Sequence, residues 1–432
     1  MKAAFYTLGC KVNQCETEYM TELLQKAGYE IVAPSQDADI YIVNSCTVTA
    51  TADQKTRQHV RKFKRAHPNS VIVLTGCMPQ AYADSADKLP EADIVISNKS
   101  NAKLAAYLQA YFASCRRVVE IDRHQAGDPF AECSITSFSG RIRAFVKIED
   151  GCNRFCSYCI IPMSRGRVRS KLPEDLQKEV TALAQNGIKE IVLVGINLSS
   201  YGKDQNDRFT IADAVKICAD VPQIRRVRLG SLEPDHMTPE IIDKLAGIEK
   251  FCPQFHISLQ SGCDKTLKAM NRHYTAKEYA SLCGKLRAVF PACTLTTDVM
   301  TGFCGETDAD FNASLEFVKK IRFHKVHVFP YSERPGTAAS RLGDEVPKSV
   351  KESRANQMIE ATEAIRLSLF EQLCGQSVCV LFEQFKDGVN SGYTRGYTPV
   401  HVPDTEDRTG QICTVKITSV SPGGICLGEI LA

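Results

Sequence analysis

The sequence contains no uninterrupted apolar stretch that approaches membrane-spanning length. It also lacks a secretory signal, because Met1-Lys-Ala-Ala-Phe-Tyr-Thr-Leu-Gly-Cys10 turns polar too soon to serve as an h-region. These absences predict a protein that neither spans a membrane nor is exported, with the cytoplasm as its compartment. Charge of one sign is scarce too: 53 Lys and Arg oppose 50 Asp and Glu, so the distribution of charge says more about partners than the net +3. Cysteine abounds, with 19 in all, an odd number. In a chain kept from oxidising compartments these thiols stay reduced, which favours metal binding or catalysis over disulfides. A length of 432 residues allows two or three domains, and 44% hydrophobic with 24% charged residues is an ordinary soluble composition.

Three cysteines stand in Gly151-Cys-Asn-Arg-Phe-Cys-Ser-Tyr-Cys-Ile160, spaced C-x3-C-x2-C. Thiolates from Cys152, Cys156 and Cys159 can converge on a cubane iron–sulfur cluster, and the next cysteine is Cys218. Three ligands on four irons leave one iron with an open coordination site. The pattern resembles that of radical S-adenosylmethionine enzymes. There the amino and carboxylate groups of S-adenosylmethionine fill the open site, and an electron from the cluster cleaves the sulfonium to a 5′-deoxyadenosyl radical. Zinc is the competing reading, but zinc sites usually pair two C-x2-C hooks or add histidines.

Apolar runs at 3–8, 39–43, 71–74 and 92–96 read as buried strands, with helical segments such as 16–27, ended by Gly28, between them. This alternation implies a parallel sheet covered on both faces. Residues 111–138 look irregular and read as a linker. A second series has strands at 141–149, 190–197, 225–231, 254–261, 294–303 and 325–332. Helices such as 173–185, with an early Pro and Gly187 beyond its end, separate them. Six βα units fall short of the eight of a full barrel, so an open, partial barrel is expected. A helix over 348–373 closes this region. Strands at 377–385, 397–402 and 412–420, with Gly, Asn and Asp turns, predict a small all-β barrel.

Cys10, Cys46 and Cys77 each follow one of the first three strands, in Leu-Gly-Cys, Asn-Ser-Cys and Thr-Gly-Cys. The carboxyl ends of parallel strands line one sheet edge, where ligands bind, so these three can meet. Gly9, Ser45 and Gly76 are small enough to let the backbone approach a bulky cluster. A single buried cysteine is common core filler. Three at one topological position predict a second three-cysteine cluster. The remaining cysteines, Cys15 and Cys304 among them, share no spacing and read as structural.

With both sets in place, the chain resembles the methylthiotransferase family of radical S-adenosylmethionine enzymes over essentially its whole length. The matching runs are Leu8-Gly-Cys-Lys-Val-Asn-Gln14, Asn44-Ser-Cys-Thr-Val48, Thr75-Gly-Cys-Met-Pro-Gln80, Gly151 to Pro162, Ser258-Leu-Gln-Ser-Gly262 and Tyr331-Ser-Glu-Arg-Pro-Gly-Thr337. The resemblance implies an α/β architecture in three parts: an N-terminal cluster-binding domain (1–115), a radical core of partial (β/α)6 type (138–368) and a C-terminal TRAM barrel (370–432). It implies two 4Fe-4S clusters, the radical one on Cys152, Cys156 and Cys159 and an auxiliary one on Cys10, Cys46 and Cys77. Two molecules of S-adenosylmethionine then convert C–H to C–S–CH3. One methylates a sulfur on the auxiliary cluster, and the other supplies the radical.

Branches of the family act on isopentenyl-adenosine in tRNA, on threonylcarbamoyl-adenosine in tRNA, or on an aspartate of a ribosomal protein. Thr7 to Gln14, Gly195-Ile-Asn197 with Tyr201-Gly202, Ser231-Leu-Glu-Pro234 and His327-Val-Phe-Pro-Tyr-Ser332 look most like the threonylcarbamoyl branch. That branch implies 2-methylthiolation of N6-threonylcarbamoyladenosine at position 37, a tRNA anticodon stem-loop as partner, and an electron donor such as a flavodoxin-type protein. Three features depart from it: Cys15 replaces the usual tyrosine, Cys304 interrupts Gly-Phe-Pro-Gly-Glu-Thr, and Glu333-Arg-Pro335 leans towards the isopentenyl branch. A non-catalytic iron–sulfur RNA-binding protein is a further alternative, opposed by two complete cysteine sets.

Other residues carry weaker signals. Gly302, ending the fifth strand of the core, would permit close approach of an adenosine. Ser258 and Gln260 would hydrogen-bond the methionyl or ribose part of S-adenosylmethionine, and Asp298 needs a partner if buried. Arg165, in the basic run Arg165, Arg167, Arg169 and Lys171, offers a planar fork for the S-adenosylmethionine carboxylate. The same run would face the threonyl carboxylate of the substrate. Arg57, Arg61, Lys64 and Arg65 share one helix side and read either as an RNA-phosphate contact or as a solvated face. From Phe370 onward four Lys/Arg oppose seven Asp/Glu, so Tyr393, Arg395, Tyr397 and His401 are the candidates there for holding RNA.

Overall fold

The computed structural model describes residues 1–138, 142–343 and 345–431. The N-terminal strands are β1 (Lys2–Thr7), β2 (Glu30–Val32), β3 (Ile40–Ser45), β4 (Val71–Gly76), β5 (Ile94–Ile96) and β6 (Val118–Glu120). They form one parallel sheet in the order β2-β1-β3-β4-β5-β6. Helices α1 (Lys11–Lys26) and α4 (Leu104–Ser114) cover one face, where Met20, Leu24, Ile40, Ile42, Val73 and Leu108 are buried together. Helix α2 (Ala50–Ala66) covers the other with Val60 and Phe63, over Tyr41, Val43, Ile72 and Leu74. Both faces of each central strand are thus apolar, as a doubly covered parallel sheet requires. The edge strands β2 and β6 were not foreseen from the sequence, and β6 lies in the stretch read as a linker. A short helix α3 (Cys77–Ala81) follows β4 directly.

The second unit begins with β7 (Arg143–Lys147), β8 (Glu149–Asp150), α5 (Ile161–Arg165) and β9 (Arg169–Ser170). The sequence places this unit's first strand from Arg141, which lies outside the described residues. Alternation continues through α6 (Pro173–Gln185), β10 (Glu190–Val194), α7 (Ile211–Asp220), β11 (Arg226–Leu229), β12 (Ser231–Leu232), α8 (Pro239–Ala246) and β13 (Gln254–Ile257). Next come α9 (Asp264–Ala269), α10 (Ala276–Val289), β14 (Thr294–Thr301), α11 (Asp308–Ile321), β15 (Lys325–Pro330) and α12 (Lys348–Glu371). Parallel pairing runs β7-β10-β11 and then β12-β13-β14-β15, with Gly230 between the two sets. Six strand positions make an open barrel, which leaves β7 and β15 as its edges.

The first domain spans those two edges. Val12, Cys15 and Tyr19 of α1 join the core cluster that holds Phe145 and Val146 of β7. Beyond β15, the Arg334 guanidinium donates to Asp53 and, at 2.9 Å, to Thr47 Oγ1. Unpaired sheet edges invite association, and α1 of the neighbouring domain covers the β7 edge here.

The last strands, β16 (Ser377–Lys386), β17 (Val389–Thr394), β18 (Pro399–Pro403), β19 (Ile412–Val420) and β20 (Cys426–Ile430), close into a barrel in the order β16-β17-β18-β20-β19. Arginines of the core lock it in place. Arg226 donates to the Tyr393 and Cys379 carbonyls at 2.9 and 3.0 Å, and Arg228 to the Arg395 carbonyl at 2.8 Å. The stacked rings of Tyr393 and Tyr397, 4.5 Å apart, lie against Arg143 and Arg228, whose guanidiniums stand 5.1 and 4.8 Å from the Tyr397 ring. Arg395 reaches back to the Glu249 and Phe251 carbonyls. The expectation that Tyr393, Arg395 and Tyr397 present themselves to RNA is therefore corrected: cation–π contacts and carbonyl hydrogen bonds commit them to the domain joint.

Candidate active site

Strands β1, β3 and β4 are neighbours in the sheet, so their carboxyl ends bring Cys10, Cys46 and Cys77 to one place. A Cβ added to Gly9 would stand 2.8 Å from Cys46 Cβ, and one at Gly76 would meet the Ser45 backbone at 2.4 Å. Both glycines have positive φ, 113° and 95°, so the close approach and the backbone twist alike require glycine. Asn13 and Asn44 pin the edge: Asn13 Nδ2 donates to Asn44 Oδ1 and to the Ser45 carbonyl, and Asn44 Nδ2 to the Asn13 carbonyl. Burial pushes the Cys77 thiol to about 12 against the pull of Arg165, whose Nε donates to Cys77 Sγ at 3.3 Å. Burial raises the Cys46 thiol as well, with the Val48 backbone N–H opposing.

Cys152, Cys156 and Cys159 lie on the loop between β8 and α5, and the antiparallel pair β8–β9 brackets that loop. Gly151 opens it with φ 84°, and a Cβ there would overlap the Arg167 carbonyl at 1.9 Å. Ser157 ties the loop to α9 through the Ala269 and Met270 carbonyls. N–H donors point at the sulfurs: the Arg154 backbone at 3.4 Å and Asn197 Nδ2 at 3.7 Å to Cys152, and Arg272 at 3.3 Å to Cys156. Glu233 holds Arg272 at 2.5 Å. Burial pushes the Cys152 thiol to about 12 and Cys159 higher still.

Among the described residues no three His, Cys, Asp or Glu side chains form a group that could hold a single metal ion. Cys46, Cys77 and Cys156 are buried, Cys152 and Cys159 half-buried and Cys10 exposed, and the N–H donors aimed at Cys77, Cys152 and Cys156 suit cluster-bound thiolates. Buried polar atoms without partners include Glu149 Oε1 and Asn197 Oδ1, both near Cys152, and Gln260 Oε1 just beyond β13. Burial pushes the Glu149 carboxyl well above the carboxylate range. Gln260 adopts left-handed backbone with φ 65°, a strained conformation of the kind that clusters at functional sites. These groups fit a polar ligand such as the methionyl part of S-adenosylmethionine.

The expected S-adenosylmethionine residues do not all gather there. Ser258 and Gln260 are buried near Arg272, which donates to the Ser258 carbonyl at 3.5 Å. Asp298 lies on the barrel interior with His256 Nε2 at 3.0 Å. Burial alone would raise its pKa, but His256 holds the carboxyl below its usual range. Gly302 has φ 69° and the Lys351 side chain across it, where a Cβ would stand 2.3 Å from Lys351 Cγ. The close approach expected of adenosine is thus made by α12.

Arg165 departs furthest from expectation. It sits fully buried between the two cysteine sets, its fork on Glu16 with one bond at 3.0 Å, its Nε on Cys77 and Asp150 3.7 Å away. Lys147 bridges Glu16 and Asp150 at 2.9 and 2.7 Å, and Arg169 adds a contact to Asp150 at 3.3 Å. Lys171 pairs with Glu179. Three members of the basic run, Arg165, Arg169 and Lys171, are thereby consumed by internal carboxylates, while Arg167 lies over Phe155. On α2, Arg61 pairs with Glu91 and Lys64 with Asp93, acids that arrive from another part of the chain.

Sequence reasoning missed Arg272, Glu149 and Lys11. Lys11 lines a cavity of about 540 Å³ that runs from Cys10 along the barrel interior, past His256, Asp298 and His327, to Arg366 and Tyr397. Within that concave wall, desolvation and then the Arg143 and Arg228 guanidiniums lower the Lys11 pKa. The signal available was its place directly after Cys10.

A sheet edge and a barrel mouth each present three cysteines, and a cavity runs inward from Cys10, an arrangement of the kind that holds a metal cluster beside a ligand site. Comparison with known proteins gives the class. Residues 2–97 match the family described as uncharacterized protein family UPF0004, and residues 146–318 match the Radical SAM superfamily. The chain is 37% identical to the threonylcarbamoyladenosine tRNA methylthiotransferase MtaB of Bacillus subtilis (strain 168), over 96% of this chain and 93% of that one. It is 38% identical to the protein of the same name from Thermotoga maritima, over 97% and 95%. To the tRNA-2-methylthio-N(6)-dimethylallyladenosine synthase of Clostridium novyi it is 35% identical, over 98% and 95%. Among solved structures, the radical S-adenosylmethionine methyltransferase TsrM of Kitasatospora setae shares the fold, with a TM-score of 0.55 at 13% identity over 84% of this chain and 89% of that one. The chain belongs to the radical S-adenosylmethionine tRNA methylthiotransferase family. No helix among the described residues is long and apolar enough to cross a membrane.

Proposed function

We propose that this enzyme methylthiolates C2 of N6-threonylcarbamoyladenosine at position 37 of tRNA. The observation that carries the choice of substrate is the character of the cavity beside Cys10. Among the described residues its wall includes Lys11, Lys325, Arg366 and His327, with Asp298 as the single lining carboxylate. A substrate bearing a carboxylate and hydroxyl suits such a wall, whereas an isopentenyl group needs an apolar slot. Relatives named for both substrates lie at similar identity, so residues of the site weigh more than overall likeness.

Cys152, Cys156 and Cys159 would hold the radical cluster, and Cys10, Cys46 and Cys77 the auxiliary one. When bound, these clusters and S-adenosylmethionine supply the radical and the sulfur that turn C–H into C–S–CH3. The chain's own residues position and insulate. Arg272 and Asn197 donate to the Cys156 and Cys152 sulfurs, and Arg165 to Cys77. Gln260, Asn197 and Glu149 offer unpaired polar atoms to the methionyl group, with Ser258 beside them. A cytoplasmic setting, a flavodoxin-type electron donor and an anticodon stem-loop as partner complete the reading.

Purified, anaerobically reconstituted enzyme offered both modified stem-loops should methylthiolate the threonylcarbamoyl one. A site built to pair polar groups rejects a substrate that lacks them by 10⁴–10⁵ in order of magnitude, so discrimination should be steep. Preferential reaction with the isopentenyl substrate would overturn the choice of branch.

A further inference from the structure

Lys11 differs from the other cations of the cavity. Lys325 and Arg366 share Glu363, at 2.6 and 2.5 Å. Outside the lining, Arg143 and Arg228 both face Glu190, at 3.7 and 3.1 Å. For Lys11 no carboxylate partner occurs among the described residues; its ammonium lies 5.7 Å from the centre of the Phe145 ring. It is a cation held on a cavity wall, next to further cations, with nothing of opposite charge assigned to it. The side chain is solvent-exposed, so a substrate that covers it must bring an anion or leave the ammonium desolvated and unpaired.

Its position fits one part of the proposed substrate. In N6-threonylcarbamoyladenosine, C2 and the carbon that bears N6 flank the same ring nitrogen, N1. The threonyl N–H can close a six-membered hydrogen-bonded ring onto N1, which lays the threonyl end along the N1–C2 edge. Sulfur must reach C2 from the side of Cys10, so the threonyl carboxylate arrives on that side as well. Lys11 is the residue directly after Cys10.

We propose that the Lys11 ammonium binds the carboxylate of the threonylcarbamoyl group and is the residue that selects this substrate. The inference rests on the choice of substrate made above and extends it to a single side chain. An ammonium–carboxylate hydrogen bond in a concave wall also explains the selection, since an isopentenyl group covering Lys11 would strip its water and leave the ammonium unpaired.

The test compares two anticodon stem-loops, one with the threonylcarbamoyl group as the free acid and one as its methyl ester, on the full-length reconstituted protein. Wild-type protein should bind the acid about tenfold to a hundredfold more tightly than the ester. Lys11→Gln should lose that preference while keeping its iron and its cleavage of S-adenosylmethionine, and Lys11→Arg should retain most of it. For turnover, Lys11→Gln should raise KM for the acid far more than it lowers kcat. Equal binding of acid and ester by the wild type would overturn the inference, even if Lys11→Gln failed to fold. So would a Lys11→Gln protein that still prefers the acid. Failure of the substrate choice itself shows separately, as wild-type reaction with the isopentenyl stem-loop in place of the threonylcarbamoyl one.

Discussion

Replacing Glu16 by Gln tests the charged seam between the first domain and the radical core. The side chain keeps its shape, so no cavity is made, but the seam loses one of two carboxylates. Arg165, Lys147 and Arg169 would then face Asp150 alone. In the native protein burial raises the Glu16 pKa, yet Arg165 and Lys147 outweigh it and hold the carboxyl below its ordinary value. Breaking a buried pair by removing one partner leaves an uncompensated charge and costs about 3–5 kcal/mol. An exposed pair supplies the control: Lys216→Met, which frees Asp220, should cost less than about 1 kcal/mol. Hydrogen exchange of the α1 amides reads the difference, because opening of the seam exposes that helix. In Glu16→Gln these amides should exchange at least a hundredfold faster, in line with about 3 kcal/mol. A double variant, Glu16→Gln with Arg165→Gln, should be less destabilised than the sum of the singles, since it removes both partners. A change below about 1 kcal/mol in Glu16→Gln would refute the account of the seam as a mutually dependent charge cluster.

Two further outcomes follow from the same geometry. Reconstituted wild-type protein should hold about eight irons, and about four after Cys152, Cys156 and Cys159 are changed together to Ala, or after Cys10, Cys46 and Cys77 are. Only the first variant should lose 5′-deoxyadenosine formation; methylthiolated product from the second would end the proposed division of labour. His124 gives a pH dependence. Burial, with Arg169 adding to it, lowers its pKa from 6.5 to about 4, so the folded state binds its proton less readily than the unfolded one. The stability it contributes is present above pH 6.5 and lost as pH falls towards 4, up to about 3 kcal/mol in all. His124→Gln should therefore show a shallower loss of stability from pH 7 to 5, measured by thermal unfolding, and identical slopes would discard this role. Some slope remains in that variant, because buried His324 is lowered to about 4 in the same way.

Much of the architecture was legible because the core strands repeat one pattern, an apolar run followed by an amphipathic helix. Pro173–Gln185 and Ile412–Val420 fall where the sequence puts them. Strands of three residues, Glu30–Val32 and Val118–Glu120, are too short to show a period of two, and they pair only because a neighbour supplies the ladder. Val389–Thr394 escaped notice for another reason: Val-Asn-Ser-Gly-Tyr-Thr has little apolar content, and its Gly392 sits hard against Leu381 of the preceding strand. The cysteines were legible as sets because topology places strand ends together. The charges were not. Glu16 meets Arg165 across 149 residues and Lys147 across 131, so no local window reveals that Arg165 is spoken for. A basic run read alone looks available to ligands, and the carboxylates that claim it come from elsewhere in the chain.

The joint at Arg143, Arg226, Arg228 and Tyr397 has a mechanical consequence. Guanidiniums wedged under stacked rings and bonded to strand carbonyls make the C-terminal barrel a fixed wall of the cavity instead of a hinged arm. Under the proposed function, a nucleotide entering the cavity would have to fit a wall held in place by these contacts. The work of adaptation would then fall on the RNA loop, which would have to turn its base outward, at a cost of a few kcal/mol for unstacking. A loop already splayed by a bulky group on N6 would meet that demand most readily. Rigidity in the protein would thus become a preference for RNA that has already been altered.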